Sequence, residues 1–266
     1  MAHAIHHASR LASNGEVPDA APAGPDSTLG SRVYALLREL LIAGAFQPGD
    51  KLSLRPLAQK LGVSVQPVRH AVSRLIGDEA LEVAPNRAVR VPFMTAAQFA
   101  ELTAIRIAIE GFAVEIAARE RSAADLARIR SFDRAFRREC RSAAPDPERA
   151  VRANHALHFA VYRAAGMPAL MPIIEGLWLR IGPVLNLDMR ASPQRLQIGL
   201  AEACHALMLS GLEEHSPVKA RAALEKDIRT AASFIQGRGV LFKPAHQSVR
   251  ERKPERRSTW TLASTT

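Results

Sequence analysis

The stretch "LGVSVQPVRHAVSRL", from Leu61 to Leu75, decides how the N-terminal part of this chain folds. Val68, Ala71, Val72 and Leu75 fall at i, i+3, i+4 and i+7, the spacing of one apolar helical face. Gln66, Arg69, His70 and Ser73 repeat that spacing and share the polar face. Ser64 stands where an N-cap hydroxyl accepts from the first-turn N–H groups. Pro67 is then the third helical residue, where a missing N–H costs nothing. Just upstream, "SLRPLAQKLG" predicts a second short helix, capped by Ser53, buried along Leu57, Ala58 and Leu61, and ended by Gly62. Two short helices joined by a Leu-Gly-Val-Ser turn form a helix-turn-helix pattern. An ordinary amphipathic surface helix satisfies the same spacing, so the flanks have to decide.

Before the pair, "TLGSRVYALLRELLIAGAF" predicts an amphipathic helix ending at Gly44. After it, Leu81–Val83 and Val89–Val91 alternate like strands around a Pro85-Asn86-Arg87-Ala88 turn. Three helices followed by a β-hairpin make a winged helix. The wing tip carries Arg87, with Arg90 just beyond, both expected within reach of phosphate or a minor groove.

Composition bounds the rest. The chain has 266 residues, and a winged helix over 28–93 leaves most of them for a second domain. The net charge of +10 favours a polyanionic partner. The charge is not confined to one domain, because Arg238 to Thr266 holds seven Lys/Arg against two Glu. Two cysteines, Cys140 and Cys204, make no disulfide framework and fit a reducing cytoplasm. No apolar run is long enough for a membrane span. The start is Ala/Pro/Gly/Ser-rich and lacks the basic and apolar regions of a secretory signal, so 1–27 is expected to be disordered, as is the basic tail over 239–266.

From Thr95 to Gln236 the pattern is helical throughout, giving an all-α bundle over 94–238. Leu102, Ile105, Ile109, Phe112 and Ile116 step by 3, 4, 3, 4 and are expected to form a core stripe. Further helices are expected at about Ala123–Arg141, Pro147–Ala165, Ala169–Leu187, Pro193–Gly211 and Pro217–Gln236, with Pro172 and Pro183 kinking or breaking the fourth segment. The fold class is mainly α: an N-terminal winged helix-turn-helix and a C-terminal helical bundle.

The segment "YALLRELLIAGAFQPGDKLSLRPLAQKLGVSVQPVRHAVSRL" resembles the N-terminal domain of GntR-superfamily transcription regulators, with "PGDKLS", "LAQKLGVS" and the Pro67-Val68-Arg69…Ala71-Val72-Ser73-Arg74-Leu75 series as its markers. The helical part resembles the FCD ligand-binding domain of the FadR-type branch through "IRIAIEGFAVEIAA", "NHALHFAVYRAAG", "IEGLWLRIGPVL" and "ARAALEKDI". The resemblance implies Arg55 as a DNA contact at the start of the second helix. It implies Arg69 as the main contact of the recognition helix, with Ser64 and Gln66 beside it, and Arg87 at the wing tip. Two departures matter. The family usually has a guanine-reading Arg where this chain has Val65, and commonly Glu where it has His70. Loss of a bidentate Arg–guanine pair removes about 1–3 kcal/mol of discrimination, so the operator is expected to differ or Gln66 to read more of it. The usual wing-tip glycine is Ala88 here.

A second constellation lies in the bundle. Asn154 and His158 are four apart and share a helical face, while His205 and Asp227 come from later helices. Imidazoles with a carboxylate suit a transition metal such as Zn²⁺, Ni²⁺ or Mn²⁺. Spacing alone does not bring the four together, and each His also reads as a hydrogen-bonded core or surface group. The resemblance implies the set, because the family's Asp, His, His, His positions fall on Asn154, His158, His205 and Asp227. The carboxylate has moved from the first place to the last. His155 lies about 100° round the helix from Asn154 and is left out. Arg106 reads either as a salt-bridged core Arg, with Glu110 or Glu175, or as the partner of an effector carboxylate. Trp178 and Arg180 are further cavity candidates.

These residues point to a ligand-responsive regulator. It is expected to bind a palindromic double-stranded DNA operator as a homodimer, more usually to repress, and to sense a small organic acid in a metal-containing bundle. The alternatives are a metal-dependent hydrolase using the bundle site and a helical interaction protein whose basic charge is only solvated surface. The hydrolase lacks an HExxH or GxSxG motif and leaves the winged helix unexplained.

Overall fold

The computed structural model describes residues 28–191, 196, 198–239 and 241–242. The expected N-terminal tail, most of the expected C-terminal tail and the segment around Pro193 lie outside them. The first unit holds α1 (Leu29–Ile42), β1 (Lys51–Leu52), α2 (Leu54–Lys60), α3 (Val65–Gly77), β2 (Glu82–Val83) and β3 (Val89–Arg90). The strands form an antiparallel sheet in the order β1-β3-β2, with Lys51 opposite Arg90 and Val83 opposite Val89. The apolar face read from the sequence is the buried one: Val68, Ala71, Val72 and Leu75 of α3 meet Leu37 and Leu41 of α1 and Leu81 before the wing. Each such large side chain contributes about 1.5–3 kcal/mol on burial. The strand β1 was not legible in the sequence, since a two-residue strand shows no alternation.

The second unit is all helix: α4 (Ala96–Glu120), α5 (Ala123–Cys140), α6 (Pro147–Arg163), α7 (Met171–Ala191), α8 (Leu200–Glu213) and α9 (Pro217–Gly237). Capping boxes at Thr95 and Ser122 start α4 and α5, and Asp146 caps α6 ahead of Pro147. The expected break in the fourth segment is not there. Pro172 sits in the first turn of α7, where it costs nothing, and the helix continues through Pro183. The residue before it, Gly182, explains what that stretch does. A Cβ on Gly182 would lie 2.9 Å from the Cα and carbonyl of Ile42, so α7 is pressed onto the end of α1. A similar close approach shapes the α8–α9 hairpin, where a Cβ on Gly211 would lie 2.5 Å from the nitrogen of Ala220.

The expected core stripe of α4 needs correcting. Leu102 is buried and Ile109 and Ile116 are partly so, but Ile105 and Phe112 are 39% and 41% exposed. The buried line runs instead through Phe99, Leu102, Arg106, Glu110, Ala113 and Ala117. Periodicity identifies an apolar face but not what covers it. The chain beyond α9 also turns back on itself: the N–H of Phe242 donates to the carbonyl of Met94, and its ring stacks on Phe93 at 5.3 Å.

Among the described residues, polar contacts between α7 and the first unit join the two. The Asn186 side-chain amide of α7 donates to the Ile42 carbonyl at 2.6 Å, Arg38 pairs with Glu175, and Arg180 pairs with Glu79 at 2.9 Å.

Candidate functional site

The helix-turn-helix presents Gln66, Arg69, His70 and Ser73 to solvent on one side of α3, and Arg55 in the first turn of α2 is exposed too. Ser53 and Ser64 stand at the N-cap positions of α2 and α3, but neither hydroxyl makes the expected cap hydrogen bond. The N-cap positions are as expected, but the absent bond to the first-turn N–H groups leaves both hydroxyls unengaged by their own helices. Val65 is half-buried and leans on the core, so it offers little to a groove. Arg74 is drawn off over the Tyr34 ring at 3.8 Å.

At the wing, Arg87 is exposed and sits at φ +61°, in the left-handed region. The turn closes through the Arg87 N–H on the Ala84 carbonyl and the Ala84 N–H on the Ala88 carbonyl, each 2.8 Å. The position that wants glycine is therefore Arg87 rather than Ala88. An Arg held there costs about 1–2 kcal/mol of backbone strain. Arg90, expected to reach outward, is instead tied to Glu82 at 2.6 Å.

The second site is buried in the bundle. One ligand atom from each of His158 (α6), His205 (α8) and Asp227 (α9) lies within 4.8 Å of the other two. His158 Nε2 is 3.4 Å from Asp227 Oδ2, and His205 Nε2 is 3.9 Å from Asp227 Oδ1. Asn154, one turn before His158, lines the same cavity, as do Arg106 and Trp178. The cavity has about 930 Å³ of empty space, open solvent at its mouth included.

The protonation pattern follows from the hydrogen bonds. Arg106 holds Glu110 in a two-point ion pair at 2.6 and 3.1 Å. Tyr162 donates its O–H to Glu110, so its oxygen accepts from His158 Nδ1, 3.1 Å away. His158 Nδ1 is thereby committed to Tyr162, and Nε2 is the atom that faces Asp227. His205 is buried against Phe136, and neither ring nitrogen has a hydrogen-bond partner among the described residues. Burial pushes His205 down to about 4, against the pull of Asp227. Burial alone would raise Asp227, but the hydrogen bond and charge of His158 and the charges of His205 and Arg106 hold it below the usual carboxylate range. Two imidazole nitrogens and a carboxylate thus converge, and the proton between His158 and Asp227 is one that a metal ion displaces. That donor set fits a divalent transition metal.

Residues 29–91 match the model of the bacterial regulatory proteins of the gntR family, and residues 101–230 match that of the FCD domain. The chain is 35% identical over 150 residues to the HTH-type transcriptional regulator McbR of Escherichia coli (strain K12), an overlap of 56% of this chain and 67% of McbR. The solved structure of E. coli McbR/YncC superposes with a TM-score of 0.74 at 30% identity, covering 80% of this chain and 99% of that one. The chain belongs to the GntR family. Its second half is an FCD domain, the FadR-type arrangement. A GntR transcriptional regulator from Rhodococcus sp. RHA1 shares the fold, with a TM-score of 0.65 at 24% identity over 79% of this chain and 99% of that one.

Of the four residues that the resemblance implied, the structure brings His158, His205 and Asp227 within reach of one another, and Asn154 lines the adjoining cavity. Arg106 is the buried, salt-bridged residue of its first reading, with Glu110 and not Glu175 as partner, and it lines the cavity as well. Arg180 is not a cavity residue, since it pairs outward with the exposed Glu79. His155 stands apart from the cluster, packed on Phe159 and Trp178 at 4.1 and 5.5 Å. Two residues were missed. Tyr162 had a signal, being one helical turn from His158 on the same face. Asn186, which lines the cavity and also holds the Ile42 carbonyl, had none.

Proposed function

We propose that this transcription regulator represses by binding a palindromic operator as a homodimer in the cytoplasm, and releases or tightens it when a small organic acid enters the FCD cavity. One observation carries the reading: an exposed basic and hydroxyl face on the helix-turn-helix is joined, through α7, to a cavity with a converging metal-type donor set. Arg69, Gln66, Ser64 and Arg55 contact the DNA, Arg87 reaches it from the wing, and Val65 sets the altered first position. Asn154, His158, His205 and Asp227 would hold the metal, Asn154 through its neutral amide oxygen. A Zn²⁺, Ni²⁺ or Mn²⁺ held there would supply positive charge toward the acid's carboxylate. Because Glu110 already neutralises Arg106, that Arg orients the acid without carrying its charge balance.

The dimer rests on α4. Ile105, Ala108 and Phe112 form an exposed line at helical spacing beside the half-buried Ile109, and a second copy of the same helix would cover it. The hydrolase reading has no support, because the relatives are named as transcriptional regulators.

The test is selection of operator half-sites from a randomised library, followed by gel-shift titration at several salt concentrations. Wild type should select a two-fold sequence and lose affinity as salt rises. Arg69→Ala should abolish the sequence preference while the dimer persists in sedimentation. Unchanged affinity of Arg69→Ala for the selected operator would overturn the recognition-helix assignment.

A further inference from the structure

The lining of the FCD cavity changes character along one axis. The α8–α9 hairpin is antiparallel, so moving from His205 toward the start of α8 and from Asp227 toward the end of α9 is moving the same way. One turn along, the lining is Ala201 and Ala231. Beyond it are Leu200 at the first residue of α8, Ile198 just before that helix, and Phe234 two turns along α9. On α7 the lining runs from Trp178, 5.6 Å from the His158 ring, to Leu185, which packs with Ala232 and Ile235 near the end of α9. All three helices therefore build a lane leading away from the His/Asp layer. From Asp227 to Phe234 it is about 10 Å long, at 1.5 Å per residue. Ile198 and Leu200 at its mouth are 59% and 52% exposed, apolar surface that nothing in the described chain covers. At the far end stands Asn186.

We infer that the effector is a carboxylate carried on an extended apolar body, a medium-chain acyl or aryl-alkyl acid, with its head in the His/Asp layer and its body along α9 toward Leu185 and Asn186. The inference rests on the organic-acid reading above and specifies the acid. A short hydroxy acid or a tricarboxylate fills only the polar layer. It leaves the lane's apolar walls wet and does not reach Asn186. An apolar body covers Ile198 and Leu200, and its end abuts Asn186, which lines the cavity and bonds the DNA-binding unit.

The experiment titrates full-length protein, zinc-loaded and metal-free, with propionate, hexanoate and decanoate, and with lactate and citrate, by isothermal titration calorimetry. Affinity should rise about fourfold for each methylene buried in the lane. Ala231→Leu, which narrows the lane one turn from Asp227, should weaken decanoate at least tenfold while leaving zinc and propionate affinity unchanged. Phe234→Asp, at the outer end, tests the same lane should the first variant melt early by circular dichroism. Affinity independent of chain length, or tightest for citrate or lactate, overturns the inference and leaves the organic-acid reading standing. No heat from any acid, with zinc bound, overturns both.

Discussion

Replacing Asn186 by Ala tests how firmly the two units are docked. The Asn186 amide donates to two carbonyls, that of Ile42 at 2.6 Å and that of Gly182 at 3.0 Å. The two are not equal losses. Gly182 lies one helical turn before Asn186 on α7, so its carbonyl keeps the backbone N–H of residue 186. Ile42 ends α1, and the chain turns away there: the N–H groups of Ala43, Gly44 and Ala45 go to Glu39, Leu41 and Leu40. Among the described residues the Ile42 carbonyl receives only the Asn186 amide. Asn186 is 7% exposed, and its truncation leaves the Ile42 carbonyl facing the cavity that Asn186 lines. One buried acceptor left without a donor costs about 1–3 kcal/mol, and the lost packing adds to it. The exposed Arg180–Glu79 pair contributes at most about 1 kcal/mol and cannot compensate. Urea unfolding followed by circular dichroism, at one fixed protein concentration because any self-association couples stability to concentration, should show Asn186→Ala less stable by about 2 kcal/mol. Asn186→Asp should be worse than Ala, since it sets a second acceptor against the Ile42 carbonyl. A loss below about 0.5 kcal/mol for Ala, with Asp no worse, would refute the idea that this hydrogen bond docks the units.

The remaining expectations are shorter. Replacing His158 and His205 together by Ala should abolish metal uptake, measured by elemental analysis of protein purified without chelator or affinity tag, and remove the effector response while operator binding survives. Less than about a tenth of an equivalent of transition metal in the wild type would count against a metal-anchored effector. Tyr162→Phe removes the acceptor that fixes the His158 tautomer and should weaken zinc about 10–100-fold in a competitive chelator titration; unchanged affinity would show that the tautomer is set elsewhere. Ser64→Ala should leave the urea midpoint nearly unchanged, because no cap bond is lost, yet weaken operator binding. Thr95→Ala, which breaks a real capping box, should do the reverse and cost about 1 kcal/mol; equal stability losses for the two would mean that Ser64 caps its helix after all.

What could be read from the sequence was what local chemistry encodes. Helix limits in the bundle were legible where Pro147, Pro217 and Gly166 punctuate them, and the wing because its turn residues sit between alternating strands; Gly211, expected to end a helix, lies inside α8. Contacts between distant segments were not. Ile42 and Asn186 are 144 residues apart, and neither an Asn in a helix nor an Ile at a helix end announces a partner. The α4 stripe shows the same limit from the other side. Leu102, Ile105, Ile109, Phe112 and Ile116 carry the period of a buried face, yet the chain buries a different line, one that includes the charged pair Arg106 and Glu110. Such a pair survives in the interior only because Glu110 takes two bonds from Arg106 and a third from Tyr162. The third bond commits Tyr162, whose oxygen then takes His158 Nδ1 and leaves Nε2 facing Asp227. The salt bridge that looked like the mundane reading of Arg106 is therefore tied to the His/Asp cluster. Its ion pair fixes Tyr162, Tyr162 fixes His158, and His158 turns Nε2 toward Asp227.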